Sequence, residues 1–197
     1  CVPSPKGIPL DQVPELSLGQ VSEQVISGIE KQYDFIVTNF ANGDVIGHSA
    51  NIEAKIPCAE LVDGWLGRVV NAAIAAGYVV FVTADHGNLE EMTNADGTPH
   101  VAHTTNLVKF ILIDPRSSPT LSLRDGKLED VAPTVLSALG LDQPSAMDGA
   151  TLSPAHIWGG RRRVLLIILD GGGIGRNDDG NPIFIAPTAF WDSLICR

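Results

Sequence analysis

The sequence predicts an α/β fold: a doubly wound, mostly parallel sheet with helices on both faces. Three observations carry this reading. Short β-branched and apolar runs (33–38, 78–82, 109–113 and 164–169) alternate with longer stretches of helical spacing. Val164-Leu165-Leu166-Ile167-Ile168-Leu169 is apolar throughout, as expected of a central parallel strand covered on both faces. Finally, aspartates and histidines gather just after these runs, at the carboxyl edge where open α/β sheets build their sites.

Length and charge narrow the field. The 197 residues suffice for a substantial core. Thirteen Lys and Arg against 23 Asp and Glu give a formal net charge of −10, which argues against nucleic acid, since phosphate backbones need a basic footprint. Bound cations would cancel part of that charge. The cysteines (Cys1, Cys58, Cys196) are odd in number and far apart, with no C-x-x-C pair, so neither a disulfide framework nor a thiolate zinc site is expected. No run approaches the roughly 18 apolar residues of a membrane span, and the amino terminus lacks a secretion-signal layout. A cytoplasmic protein without membrane or nucleic-acid partners is expected.

Taken in order, residues 1–16 carry four prolines and read as an extended lead-in. Ser17 and Gln20 have capping-box spacing, and Val21, Val25, Ile26 and Ile29 follow at helical intervals, predicting a helix over 18–31. Residues 33–38 predict a buried strand. A long helix is expected over 53–76, with Pro57 in its first turns and Gly77 as its stop. Residues 78–82 predict a second buried strand, and 88–107 a polar loop long enough to suggest function. The strand at 109–113 is expected to run antiparallel if His103 is to reach the carboxyl edge. A helix over 127–139 follows, its start moved toward Asp130 by Pro133, and Gly140 stops it. Residues 142–155 read as irregular, with His156 non-catalytic and 159–163 a linker. After the 164–169 strand, a short helix over 188–195 closes the chain.

Six side chains stand out at the strand ends. Asp44 and His48 are four apart, so on a helical turn they project from one face. Asp85 and His86 directly follow the second strand, His103 precedes the antiparallel one, and Asp170 ends the most apolar run. Gly171-Gly172-Gly173-Ile174-Gly175 after Asp170 fits neither phosphate-loop nor dinucleotide spacing and lacks the lysine. Glycines there let backbone approach a ligand closely. Three carboxylates and three imidazoles suit manganese or zinc better than calcium. Six ligands exceed what one ion with an open position needs, so two ions are expected, an arrangement suited to phosphoryl transfer.

The same residues carry a resemblance. Asn39-Phe40-Ala41-Asn42-Gly43-Asp44-Val45-Ile46-Gly47-His48, Thr83-Ala84-Asp85-His86-Gly87-Asn88, Ala102-His103-Thr104-Thr105-Asn106 and Leu169-Asp170-Gly171 closely resemble the cofactor-independent (2,3-bisphosphoglycerate-independent) phosphoglycerate mutases of the alkaline phosphatase superfamily. Ser4-Pro5-Lys6, Leu66-Gly67-Arg68-Val69-Val70, Leu123-Arg124-Asp125-Gly126, Asp130-Val131-Ala132-Pro133-Thr134-Val135 and Trp191-Asp192-Ser193-Leu194 extend it over nearly the whole chain. The resemblance implies an alkaline-phosphatase-like domain with two divalent ions, manganese first and zinc or cobalt as alternatives. It implies that Asp44, His48 and His103 hold one ion, and Asp85, His86 and Asp170 the other. It further implies the glycolytic interconversion of 3-phosphoglycerate and 2-phosphoglycerate through a phosphoserine.

The sequence departs from the family pattern in three ways. Segment order differs: 1–158 resembles the family's carboxyl-terminal segment and 164–197 its amino-terminal one, joined across 159–163, so that 1–197 reads as one metal-binding phosphatase-type domain in permuted order. No counterpart of the Asn-Ser-Glu-type motif carrying the nucleophilic serine is present, so no nucleophile is assigned. The substrate-clamp domain also lacks a counterpart. Gly43 and Gly172 stand where the family usually has proline and tryptophan. Besides a mutase, the residues admit a phosphomonoesterase or phosphopentomutase-like enzyme, or a non-catalytic module that completes its site with a complementary chain.

Overall fold

The computed structural model describes residues 2–116, 122–154 and 157–195. Helices α1 (Leu18–Glu30), α2 (Asn42–Gly47), α3 (Lys55–Ala75), α4 (Val131–Leu139), α5 (Pro182–Ile185) and α6 (Ala189–Ile195) accompany strands β1 (Phe35–Phe40), β2 (Val79–Thr83), β3 (Phe110–Ile113) and β4 (Val164–Leu169). The sheet order is β1-β4-β2-β3. Strand β4 runs parallel to β1 and to β2, while β3 is antiparallel to β2 as expected. The register pairs Phe40 with Leu169 and Thr83 with Ile168, so three strands end level and release their next residues at one edge.

Period-two alternation divides the core between two faces. On one face Val80, Val82, Leu165 and Ile167 meet Val25 and Ile29 of α1 and Leu66, Val69, Val70 and Ala73 of α3. On the other, Val79, Phe81, Val164 and Leu166 meet Val135, Ala138 and Leu139 of α4, with Trp158 edge-on to Phe81. Burying each such aliphatic side chain contributes about 1.5–3 kcal/mol, and this two-sided layer is the main support of the sheet. A third cluster (Ile46, Cys58, Leu89 and Ala186 among its members) packs α2 and the segment after β2 onto the start of α3. Burial pushes the Cys58 thiol up to about 12, leaving it an inert core side chain.

Several expectations need correction. Ser17 makes no capping bond to α1; its hydroxyl donates to the Pro3 carbonyl at 2.7 Å and ties down the lead-in instead. Strand β1 lies two residues later than expected, and it is an edge strand with Phe35 and Val37 exposed rather than a buried one. The helix expected from 53 begins as a 3-10 turn over Ile52–Ala54. A 3-10 turn at Leu128–Asp130 likewise precedes α4, whose start after Asp130 places Pro133 in the first turn. Helix α5 had no sequence prediction; Asn181 caps it by accepting from the Ile183 and Phe184 amides. The 159–163 stretch is more than a linker. Arg162 is buried and forms a two-pronged pair with Asp114 at 2.8 and 2.6 Å. His156 lies outside the described residues.

Two aspartates fasten elements across the fold. Asp63 of α3 accepts from the Phe190 and Trp191 amides at 3.1 and 2.6 Å, satisfying the free donors at the start of α6. Asp130 accepts from the Ala150 amide at 2.7 Å and the Lys127 amide at 3.0 Å, which fixes the irregular 142–154 stretch on α4. Those backbone bonds pull its carboxyl down to about 2. Among the described residues, no helix is long and apolar enough to cross a membrane.

Candidate metal centre

The level strand ends bring all six sequence-predicted ligands together. Asp44 and His48 stand on α2 and its last turn, directly after β1. Asp85 and His86 leave β2, Asp170 leaves β4, and His103 arrives on the segment leading to β3. The approach is close enough to exclude side chains. A Cβ on Gly171, whose φ is +75°, would lie 2.7 Å from the Asp44 amide nitrogen, and one on Gly43 would lie 2.5 Å from the Asp170 carbonyl.

The geometry turns imidazole nitrogens onto carboxylate oxygens and onto one another. His48 Nδ1 lies 2.8 Å from the Val101 carbonyl, which can only accept, so Nδ1 carries a proton and Nε2 turns inward. That Nε2 is 3.1 Å from both Asp44 Oδ1 and His103 Nε2, and His103 Nε2 is 3.0 Å from the same Asp44 oxygen. His86 follows the same logic. Its Nδ1 is 3.3 Å from the Gly87 carbonyl, and its Nε2 lies 3.4 Å from Asp170 Oδ1, 3.7 Å from Asp85 Oδ2 and 3.8 Å from Asp44 Oδ1. The His86 and His103 rings stack at 3.7 Å between centroids.

Two triads have ligand atoms near enough for a common ion: Asp85, His86 and Asp170, and Asp44, His86 and His103. The first coincides with one predicted set. In the second His86 takes the place of His48, although His48 Nε2 touches both of the other members. His86 thus stands between the two halves of the cluster.

The donor set fits divalent cations. Lone pairs converging at about 3 Å repel one another unless a proton or a metal lies between them, and imidazole plus carboxylate is the chemistry of zinc, manganese and cobalt sites. Asn88 Oδ1 is buried without a hydrogen-bond partner, while its Nδ2 donates to Asp44 Oδ1 at 3.2 Å. Burial raises the Asp170 carboxyl above its ordinary 3.8, helped by the Asp85 and Asp44 charges and opposed by the Asn39 hydrogen bond and His86.

Sequence reasoning did not assign the residues that hold the ligands. Asn39 donates to Asp170 Oδ2 at 2.8 Å, and the His86 amide donates to Asp85 Oδ1 at 3.0 Å, leaving Oδ2 toward the His86 ring. Lys55, fully buried on α3, donates to the His100 carbonyl at 2.6 Å and steadies the segment from which Val101 orients His48. Asn39 and Asn88 flank ligands in sequence, a signal that adjacency could have supplied; Lys55 offered none.

Comparison with known proteins follows the same residues. Residues 1–143 match the model of the Metalloenzyme superfamily, a stretch containing every candidate ligand except Asp170. A 2,3-bisphosphoglycerate-independent phosphoglycerate mutase of Moorella thermoacetica is 50% identical over 151 residues, covering 77% of this chain and 29% of that protein. A protein of the same description from Salinibacter ruber is 47% identical, covering 79% and 29%. The crystal structure of Leishmania mexicana phosphoglycerate mutase at low cobalt concentration superposes with a TM-score of 0.68 at 25% identity, over 79% of this chain and 31% of that one. The chain thus spans about 30% of the length of the proteins it matches.

Proposed function

We propose that this chain, which belongs to the Metalloenzyme superfamily, is the dinuclear metal-binding part of a cofactor-independent phosphoglycerate mutase. The observation that carries the reading is the convergence of Asp44, His48, Asp85, His86, His103 and Asp170 at one sheet edge with no lysine or arginine among the contacts within the cluster. Asp44, His48 and His103 hold one ion and Asp85, His86 and Asp170 the other, with manganese the first candidate metal. When bound, the ions supply Lewis-acid stabilisation of a transferring phosphoryl group and activate an attacking hydroxyl.

The chain's own residues orient that chemistry. Val101 fixes the tautomer of His48 and the Gly87 carbonyl that of His86, so both present Nε2. Asn39 holds one oxygen of Asp170 and leaves Oδ1 toward His86. Phosphoglycerate is the proposed substrate, and the serine that takes the phosphoryl group comes from outside these 197 residues, on a complementary chain or segment. In this reading β4 belongs to a segment moved to the carboxyl-terminal side of its usual neighbours, within a single domain in permuted order. The setting is cytoplasmic glycolysis.

Metal titration followed by calorimetry, then an assay with 3-phosphoglycerate, tests the proposal. Two equivalents of manganese or cobalt should bind, and 2-phosphoglycerate should form only after a chain bearing the serine motif and the substrate domain is added. Release of free phosphate in place of 2-phosphoglycerate would favour a phosphomonoesterase. Failure to bind two equivalents of any divalent transition metal would sink the dinuclear reading.

A further inference from the structure

Glu90 is among the most completely buried side chains of the molecule, with 1% relative exposure, although it carries a carboxyl group. Four donors from three segments converge on it. Oε2 accepts from the Asn88 amide at 2.7 Å and the Gly173 amide at 3.1 Å; Oε1 accepts from the Thr104 hydroxyl and from Asn106 Nδ2 at 2.9 Å. These segments are the three that deliver His86, Asp170 and His103. Two glycines flank the carboxylate for want of space: a Cβ on Gly87 would lie 2.1 Å from Oε1, and one on Gly173 would lie 2.3 Å from it. Glycines that looked in sequence like an approach to an external ligand thus close around an internal one. The Asn88 and Leu89 amides also donate to the Gly171 carbonyl, at 3.1 and 2.9 Å, so the β2 and β4 exits form one unit around Glu90.

We propose that Glu90 is the positioning residue of the metal centre, the buried carboxylate that holds the His86, His103 and Asp170 segments in one register and so couples the two metal positions. The proposal rests on the dinuclear reading above. Removing the carboxylate takes the acceptor from the buried Asn88 amide and from the part-buried Gly173 amide and Thr104 hydroxyl, leaves Asn106 Nδ2 with Glu91 Oε1 alone, and unties the three segments from one another. A ligand set loosened in this way loses metal affinity by about 10–100-fold without losing any ligand.

The experiment compares unmodified protein with E90A, E90D and E90Q, and with L139A as a control for lost stability in the distant α4 cluster. Manganese and cobalt affinities are measured by titration, and amide hydrogen exchange at Asn88 and Gly173 is measured without metal. E90A should weaken both metal positions by about 10–100-fold and expose the two amides to exchange. E90Q should recover part of the affinity, because a glutamine can keep its carbonyl on the two amides and turn its NH2 toward the Thr104 hydroxyl, while Asn106 stays bonded to Glu91 Oε1 and loses its bond to residue 90. Should E90A fail to fold, E90D, whose carboxylate is withdrawn by one methylene, should give the intermediate loss. L139A should lower stability and leave affinity unchanged. Unchanged affinity and unchanged exchange in E90A or E90D would overturn the proposal. Fast exchange in E90A combined with no metal uptake by the unmodified protein would instead overturn the dinuclear reading and keep the clamp as a structural device only.

Discussion

The two ends of the sheet are both rich in charge, and they resolve it in opposite ways. At the amino edge, Arg161 meets Asp34 at 2.9 Å, Arg162 grips Asp114, Arg163 donates to Gln32 at 2.9 Å and the Tyr78 hydroxyl donates to the Tyr33 carbonyl at 2.6 Å. Each negative group there has a cation or donor from the chain itself. At the carboxyl edge, three carboxylates and three imidazoles face one another, with no lysine or arginine in contact with them among the described residues. A polar cluster complete in itself is structural; one short of positive charge is a candidate binding site.

Two aspartates, Asp114 and Asp170, state the contrast most sharply. Burial pushes the Asp114 carboxyl up, but the Arg162 hydrogen bonds, the Arg116 amide and the charges of both arginines outweigh it and hold the group below its ordinary 3.8. For Asp170 burial, with the Asp85 and Asp44 charges, outweighs the Asn39 hydrogen bond and His86, and the group stays above that value. The signs for pH-dependent stability are therefore opposite. The Asp114 contribution is present above 3.8 and is lost as pH falls through its depressed folded value. Asp170 in the metal-free protein costs stability once pH has risen past its folded value, and that cost disappears below 3.8.

Four substitutions probe this difference, from the largest expected effect to the smallest. R162L should cost about 3 kcal/mol in denaturant unfolding, because it leaves Asp114 buried without its guanidinium, while metal affinity of the folded protein stays unchanged. H86A should reverse the pattern. Its ring lies between both ligand groups, so both metal affinities should fall on the order of 100-fold in a titration, with little change in metal-free melting. N39L removes the one amide donor to Asp170 and should weaken metal binding by about 10-fold, with a loss at one position only. D170N should raise the melting temperature of the metal-free protein at neutral pH, and the gain should shrink as pH falls to 3.8. A D170N protein that melts lower than its parent at neutral pH would erase the distinction between the two edges.

Much of this was legible in the sequence, and the reasons differ by element. The Val164–Leu169 strand was readable because being covered on both faces demands an unbroken apolar run. The antiparallel course of β3 followed from requiring His103 to reach the carboxyl edge, a constraint from chemistry rather than from local pattern. Strand β1 was misplaced because its exposed Phe35 and Val37 mimic a buried strand. The capping box failed since Ser17 had a better partner in Pro3, which spacing cannot reveal. Arg162 was hidden for the same reason: a basic triplet after two glycines reads as a solvated linker, and only the fold carries Asp114 to it. The six candidate ligands were legible because each sits beside a strand end. Glu90 was not, since all but one of its partners come from segments distant in sequence and its own neighbours, Leu89 and Glu91, form no recognisable pattern.

One feature of the sheet reaches beyond its finished state. Strand β1 pairs only with β4 among the described residues, and β4 also lies between β1 and β2, yet it is the last strand in the chain. During synthesis β1, β2 and β3 leave the ribosome before the strand that joins β1 to the others exists. The β2–β3 hairpin can form early, but β1 must wait some 120 residues for its partner, a long-range closure of the slow kind. Asp44 and Asp170 accordingly meet only after β4 has been made. In a nascent-chain series of increasing length, manganese-dependent protection from protease should appear only after Asp170 has cleared the ribosomal exit tunnel. Metal capture at the candidate site would then report that the four-stranded sheet has been assembled.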